Sequence, residues 1–132
     1  MSSDTPTPSP NGQDRREYYR INVTLPIRLQ PETDDTEREF TEKSVNLSGG
    51  GIGVVVETLY QAGDILSCSL LLPDQVLFKS AIEVLRLVPI AYPGDTYRLH
   101  ARFIRMTAQN RELLIKYVLQ FQRYHLARHY SV

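Results

Sequence analysis

"DRREYYRINVTLPIRLQ", Asp14 to Gln30, joins two unlike halves. From Ile21 onward, Ile21, Val23, Leu25, Ile27 and Leu29 fall on one face, and Asn22, Thr24, Arg28 and Gln30 on the other. This period of two predicts a half-buried strand. Just before it, Arg15, Arg16 and Arg20 surround Tyr18 and Tyr19 with no apolar period, and Glu17 is the single acid among them. A strand with one face toward a core and a cationic entrance sets the type of fold that the remaining segments must complete.

The segments after it continue in kind. "PETDDTERE" is an acidic connection expected to project into water, and Phe40 to Leu47 is a second extended run leading to "NLSGGG". "IGVVVET" resumes as a strand. Gly63-Asp64 marks a turn before "ILSCSLLLP", and Pro73-Asp74 another before the long run Gln75 to Pro89. That run changes phase near Val84-Leu85, where Val76, Phe78, Ile82 and Val84 give way to Leu85 and Leu87, which predicts a bulge or bend. After the turn Tyr92-Pro93-Gly94-Asp95, Tyr97, Leu99, Ala101 and Phe103 alternate with Arg98, His100 and Arg102 in a sixth strand.

The end of the chain has another period. From Ala108 to about Arg128 there is no proline or glycine, and Leu114, Tyr117, Val118, Phe121 and His125 recur at helical spacing behind Thr107 as the expected N-cap. Six short, mainly antiparallel strands and one closing helix predict a mainly β fold: a small six-stranded antiparallel β-barrel with a C-terminal α-helix covering one opening or side. The barrel is expected over about residues 20–106 and the helix over about 108–128.

Composition agrees with one domain. The chain has 132 residues, 42% of them apolar and 9% aromatic, enough for a single core. Residues 1–13, rich in proline, serine and threonine, cannot offset the entropy of ordering and read as a flexible tail before a domain spanning 14–128. Lys plus Arg and Asp plus Glu both number 15, yet the charge is polarised: Glu32 to Lys43 holds six acids and two bases, Arg98 to Val132 seven bases and one acid. Cys68, the only cysteine, lies in an apolar run and reads as a buried structural thiol. No run of consecutive apolar residues approaches the roughly 18 of a spanning helix, and the polar start lacks the pattern of a signal peptide, so a soluble, cytoplasmic chain without membrane insertion is expected.

Chemistry gathers at two places. Arg16 and Arg20 stand four apart beside Arg15, and "NLSGGG" follows one strand pair later, where antiparallel neighbours bring one strand's entrance beside another's exit. Arginine offers a planar fork for phosphate and a flat cation for a base. Asn46 and Ser48 offer short polar side chains, and Gly49, Gly50 and Gly51 let main-chain N–H groups approach a ligand closely. Such a pair suits an anion. Arg16-x-x-x-Arg20 followed by Asn46-x-Ser48-x-x-Gly51 resembles the paired signature of PilZ domains, RxxxR and [D/N]xSxxG, with strand order and closing helix also similar over roughly residues 14–126.

The resemblance implies a receptor for the second messenger cyclic di-GMP, and no enzyme. In that family the arginines embrace the phosphates and stack on guanine, while the Asn or Asp, the Ser and the glycine turn hold a guanine and nearby phosphate. Carried over, the site would comprise Arg15, Arg16, Arg20, Asn46, Ser48, Gly49, Gly50 and Gly51, with no cofactor beyond the ligand itself. Position 46 is Asn where the family more often has Asp. A conformational change on binding would then signal to an unidentified protein, for instance of motility, secretion or exopolysaccharide machinery. The alternative is a ligand-independent PilZ-like interaction module.

Other chemistries lack their parts. His125 and His129 share a helix face, but no glutamate or cysteine cluster completes a metal site. The glycine turn lacks the Lys-Ser/Thr of a P-loop, and Ser48 has no evident base. An oligonucleotide-binding barrel would set aromatics on exposed strands, whereas Tyr97 and Phe103 fall in phase with inward Leu99 and Ala101, so no nucleic-acid polymer is expected. The Arg98, His100, Arg102 face reads as solvent-facing.

Overall fold

The computed structural model describes residues 19–130, with side chains through 125. Six strands run in order: β1 Ile21–Pro31, β2 Thr41–Leu47, β3 Gly51–Val56, β4 Ile65–Leu72, β5 Val76–Ile90 and β6 Thr96–Ile104, followed by helix α1, Ala108–Tyr130. They close antiparallel in the sequence β1-β2-β3-β6-β5-β4. β1 makes closure possible by serving two neighbours in turn: Ile21 to Ile27 pair with β2 and Ile27 to Pro31 with β4. Pro26, which has no N–H to give, sits one residue before that hand-over.

Alternation places the core inside. Ile21, Val23, Leu25 and Ile27 are buried from β1, and every other strand adds inward residues such as Val45, Val54, Leu70, Phe78 and Leu99. Phe78 and Phe103 meet edge to face with centroids 5.4 Å apart. Cys68 is fully buried, and burial pushes its thiol up to about 12, consistent with a structural role.

The phase of β1 departs from the sequence expectation at its end. Gln30, expected on the outer polar face, is buried, while Leu29 is half-buried. The acidic connection is the reason: the Gln30 Nε2 donates to the Asp34 and Thr36 carbonyls at 2.9 and 2.5 Å, so the loop folds over it. Asp34 in turn accepts from the Thr36 hydroxyl and N–H and from Arg38, bonds that hold its carboxyl below the usual range. Arg105 reaches Glu32 at 2.6 Å from the end of β6. Most of the loop is exposed, as its charge requires.

The expected bulge is present, with a register shift between Val84 and Arg86 in the pairing of β5 with β6. The residue expected to turn inward after it, Leu85, instead stands out and is 51% exposed, and Leu87 resumes the inward phase as a half-buried residue. A bulged residue has no partner across the ladder, so its side chain is free to leave the core phase.

Helix α1 begins at the expected cap. The Asn110 N–H donates to Thr107 Oγ1 at 3.1 Å, and Asn110 Oδ1 accepts the Lys79 N–H at 3.1 Å, tying the first turn to β5. The helix packs on β5 and β1, with Leu114 and Val118 buried in the barrel core and Tyr117 and Phe121 beside them. Among the described residues no helix is long and apolar enough to cross a membrane.

Candidate functional site

The barrel's outer face carries one polar row across five strands. In β1 and β2, Asn22 stands opposite Asn46; across β3 and β6, Asn46 faces Gly53 and Gly53 faces His100; in β5, Arg86 pairs with His100. Outward side chains at directly opposed positions are close neighbours, so the row is a contiguous surface. Arg20, just before β1, closes one end: its Nη1 donates to Asn46 Oδ1 at 3.0 Å, and Asn46 Nδ2 donates to Asn22 Oδ1 at 3.0 Å. The amide at 46 is thereby fixed in orientation, with one oxygen lone pair still available.

Beside this row lies the β2–β3 turn. Ser48 is buried, and its Oγ accepts the Gly50 and Gly51 N–H groups, each at 3.2 Å, while its own N–H donates to the Gly51 carbonyl at 3.0 Å. Ser48 therefore shapes the turn from within. The sequence expectation gave Gly51 a role in close approach by a ligand. Its geometry gives a reason within the fold as well: an added Cβ would lie 2.4 Å from the Ala101 carbonyl oxygen, so the backbone of β6 excludes it, and its φ is outside the left-handed region. Gly50 is exposed, and its carbonyl accepts the Phe103 N–H at 3.1 Å; Gly49 is buried within the turn.

Row and turn enclose an open cleft of about 570 Å³, with Arg20, Ser48, Gly50 and Gly51 on one side and Leu85, Arg86, His100 and Arg102 on the other. Of the residues expected from sequence, Arg20, Asn46, Ser48, Gly50 and Gly51 thus come together, Gly49 sits behind them, and Arg15 and Arg16 lie outside the described residues. The far wall was missed. The Arg98, His100, Arg102 face looks outward as expected, with Arg98 and Arg102 exposed, but His100 and Arg102 also line the cleft, a role the sequence reading did not give them. The sequence signal existed in that alternation, but only the pairing of β6 with β3 and β5 shows what it faces.

The electrostatics are cationic. Arg102 is bound to Glu83, Nη2 to Oε1 at 2.6 Å, but Arg86 has no carboxylate partner among the described residues. The His100 imidazole is held below its ordinary 6.5 by partial burial first, and then by Arg86, Arg98 and Arg20. With three guanidiniums near a partly buried imidazole, added negative charge at this site is favourable.

A small closed antiparallel barrel with a capping helix and a cationic cleft over the β2–β3 turn is the class that fold and site define. The chain belongs to the PilZ family: the family model for the PilZ domain matches residues 14–120. No curated protein matches it in sequence. Among solved structures, the Bacillus subtilis inhibitor of motility MotI/DgrA superimposes with a TM-score of 0.66 at 22% identity, covering 83% of this chain and 52% of that one. The chain therefore spans about half the length of that protein. The PilZ domain of Escherichia coli YcgR, solved with c-di-GMP, gives a TM-score of 0.62 at 19% identity and covers 89% of this chain and 99% of that one. A tetrameric PilZ domain from Xanthomonas campestris, self-assembled through a helical bundle, gives 0.68 at 12% identity, with coverages of 82% and 90%. At these identities the likeness is one of fold.

Proposed function

We propose that the protein is a receptor for cyclic di-GMP, not an enzyme, and that it changes conformation on binding and signals to a partner protein. The observation that carries this is the Arg20–Asn46 hydrogen bond at 3.0 Å beside the Ser48-organised turn: two sequence motifs 26 residues apart meet at one cationic cleft. Family membership and the c-di-GMP in the YcgR structure support the choice of ligand. Arg20 offers a fork for a phosphate oxygen, the free lone pair of Asn46 accepts from a guanine edge, and the glycine turn leaves room above its backbone. Arg15 and Arg16, five and four residues upstream, supply the further cations that a ligand with two phosphates needs. Drawing that segment onto the cleft is the proposed conformational change.

Calorimetric titration with cyclic di-GMP, with GTP and cyclic GMP as controls, tests the reading. Saturable binding of cyclic di-GMP alone, weakening as salt rises because the first contacts are exposed ion pairs, is expected. Absence of binding at low salt would favour a ligand-independent interaction module instead.

A further inference from the structure

A second pocket, of about 360 Å³, opens between the outer side of β1, β4 and β5 and the acidic β1–β2 connection, and it shares no lining residue with the cleft. Strand pairing sets its floor. Arg28 stands opposite Ser69 and Ser69 opposite Lys79, with Gln30 opposite Ser67 two residues along. Ser69 is 2% exposed and Gln30 8%, yet the Ser69 hydroxyl and the Gln30 amide oxygen have no hydrogen-bond partner among the described residues. The one buried side-chain polar atom among those residues that lacks both a partner and access is Thr96 Oγ1, so these two open into the pocket. A buried polar group that faces a cavity unpaired points to something that fills it.

Water would satisfy two neutral groups, but it leaves the charges around them unexplained. Arg28 and Lys79 flank the Ser69 hydroxyl, and neither meets a carboxylate among the described residues. Both are held in place. The Arg28 guanidinium lies 4.6 Å over the Phe40 ring and donates to the Arg38 carbonyl at 3.1 Å, and the Lys79 N–H is tied to Asn110. Of the four carboxylates on the opposite side, Glu32 is paired with Arg105 and Asp34 with Arg38, while Asp35 and Glu37 have no partner among the described residues. Two free cations on the floor thus face two free acids on the rim. The rim repels a polyanion and the floor repels a bare cation, whereas a molecule carrying one charge of each sign suits both. We propose that this pocket binds a small zwitterion of the amino-acid class. Its carboxylate is received by Arg28, Ser69 and Lys79, and its ammonium by the Gln30 amide oxygen with Asp35 and Glu37.

Amide NMR titration of the full chain with each common L-amino acid in turn, and with acetate and methylammonium as the two halves of such a ligand, tests this. At least one amino acid should give saturable shifts at Gln30, Asp35, Ser69 and Lys79 and bind about tenfold or more tighter than either half. Ser69→Ala should melt at or above the wild-type temperature, because the hydroxyl it removes is buried without a partner, yet lose about fivefold or more in affinity. Lys79→Met should lose more and keep its fold, since that ammonium bonds to nothing in the barrel. Shifts from none of the amino acids, or acetate binding as tightly as the best of them, would overturn the proposal, as would wild-type affinity in Lys79→Met. If Ser69→Ala melts well below wild type, the hydroxyl serves the barrel itself and the inference falls.

Discussion

Where α1 meets the barrel, Leu114 and Val118 are fully enclosed and the contact is apolar; where the cleft opens, Gly50, Gly51 and Gly53 present no side chain and Arg20, Arg86 and Arg102 stand exposed. Both regions are built on β1 and β5 or their immediate surroundings, with opposite choices of residue. The helix side stabilises by removing apolar area from water. The cleft leaves backbone accessible and gathers like charges, which contributes nothing to stability until an anion arrives. Substitutions on the helix side should therefore change melting, and substitutions in the cleft should change binding.

The largest expected effect is on the helix side. Leu114→Ala should destabilise by about 2–5 kcal/mol, because the residue is fully buried and a barrel closed on all sides cannot collapse around the void. Denaturant melts would measure it, and titration at a temperature where the variant is folded should return wild-type affinity. A change in affinity without a change in melting would break the division between the two regions.

Ser48 sharpens the comparison because it belongs to both. Ser48→Ala leaves the Gly50 and Gly51 N–H groups without their acceptor, which should cost roughly 1–3 kcal/mol of stability and also loosen the turn that faces the ligand. Melting and titration should both respond. An effect on binding alone would mean that the hydroxyl serves the ligand directly rather than the turn.

The smallest expected effect is at His100. Its folded value lies below 6.5, so between the two values the unfolded chain binds the extra proton. Stability is therefore unaffected above about pH 6.5 and declines slightly as pH falls through the depressed folded value. An NMR titration of the imidazole should place its midpoint below the ordinary 6.5. Adding a ligand with two phosphates should move the midpoint upward, because negative charge offsets the surrounding guanidiniums. No movement would place the phosphates away from this wall.

Much of the fold was legible because it follows from periods within single segments. The alternation of β1, the phase slip near Val84 and the Thr107 cap each involve residues a few positions apart. Reading failed where a distant segment decides. Gln30 is buried by a loop that folds back on it, and Leu85 leaves the core because the bulge sits in a ladder with β6. At the site, the Arg20 and Asn46–Gly51 motifs carried their own spacing, but His100 and Arg86 join them through two strand pairings that no local pattern encodes. Gly51 was singled out for close approach by a ligand, and the fold adds a reason that no local pattern shows, since the Ala101 carbonyl that excludes its Cβ lies 50 residues along the chain.

The central claim is that the meeting of Arg20 with Asn46 is a ligand site and not part of the fold's support. Parallel calorimetric titration and thermal melting of wild type and Arg20→Ala with cyclic di-GMP test it most directly. Arg20 is exposed, so melting should be unchanged within about 0.5 kcal/mol. Binding should fall by about 1.5–3 kcal/mol, the loss of a charged hydrogen-bond partner, which is at least tenfold in Kd. An Arg20→Ala protein that binds cyclic di-GMP as tightly as wild type, or one that loses stability instead of affinity, would contradict the account.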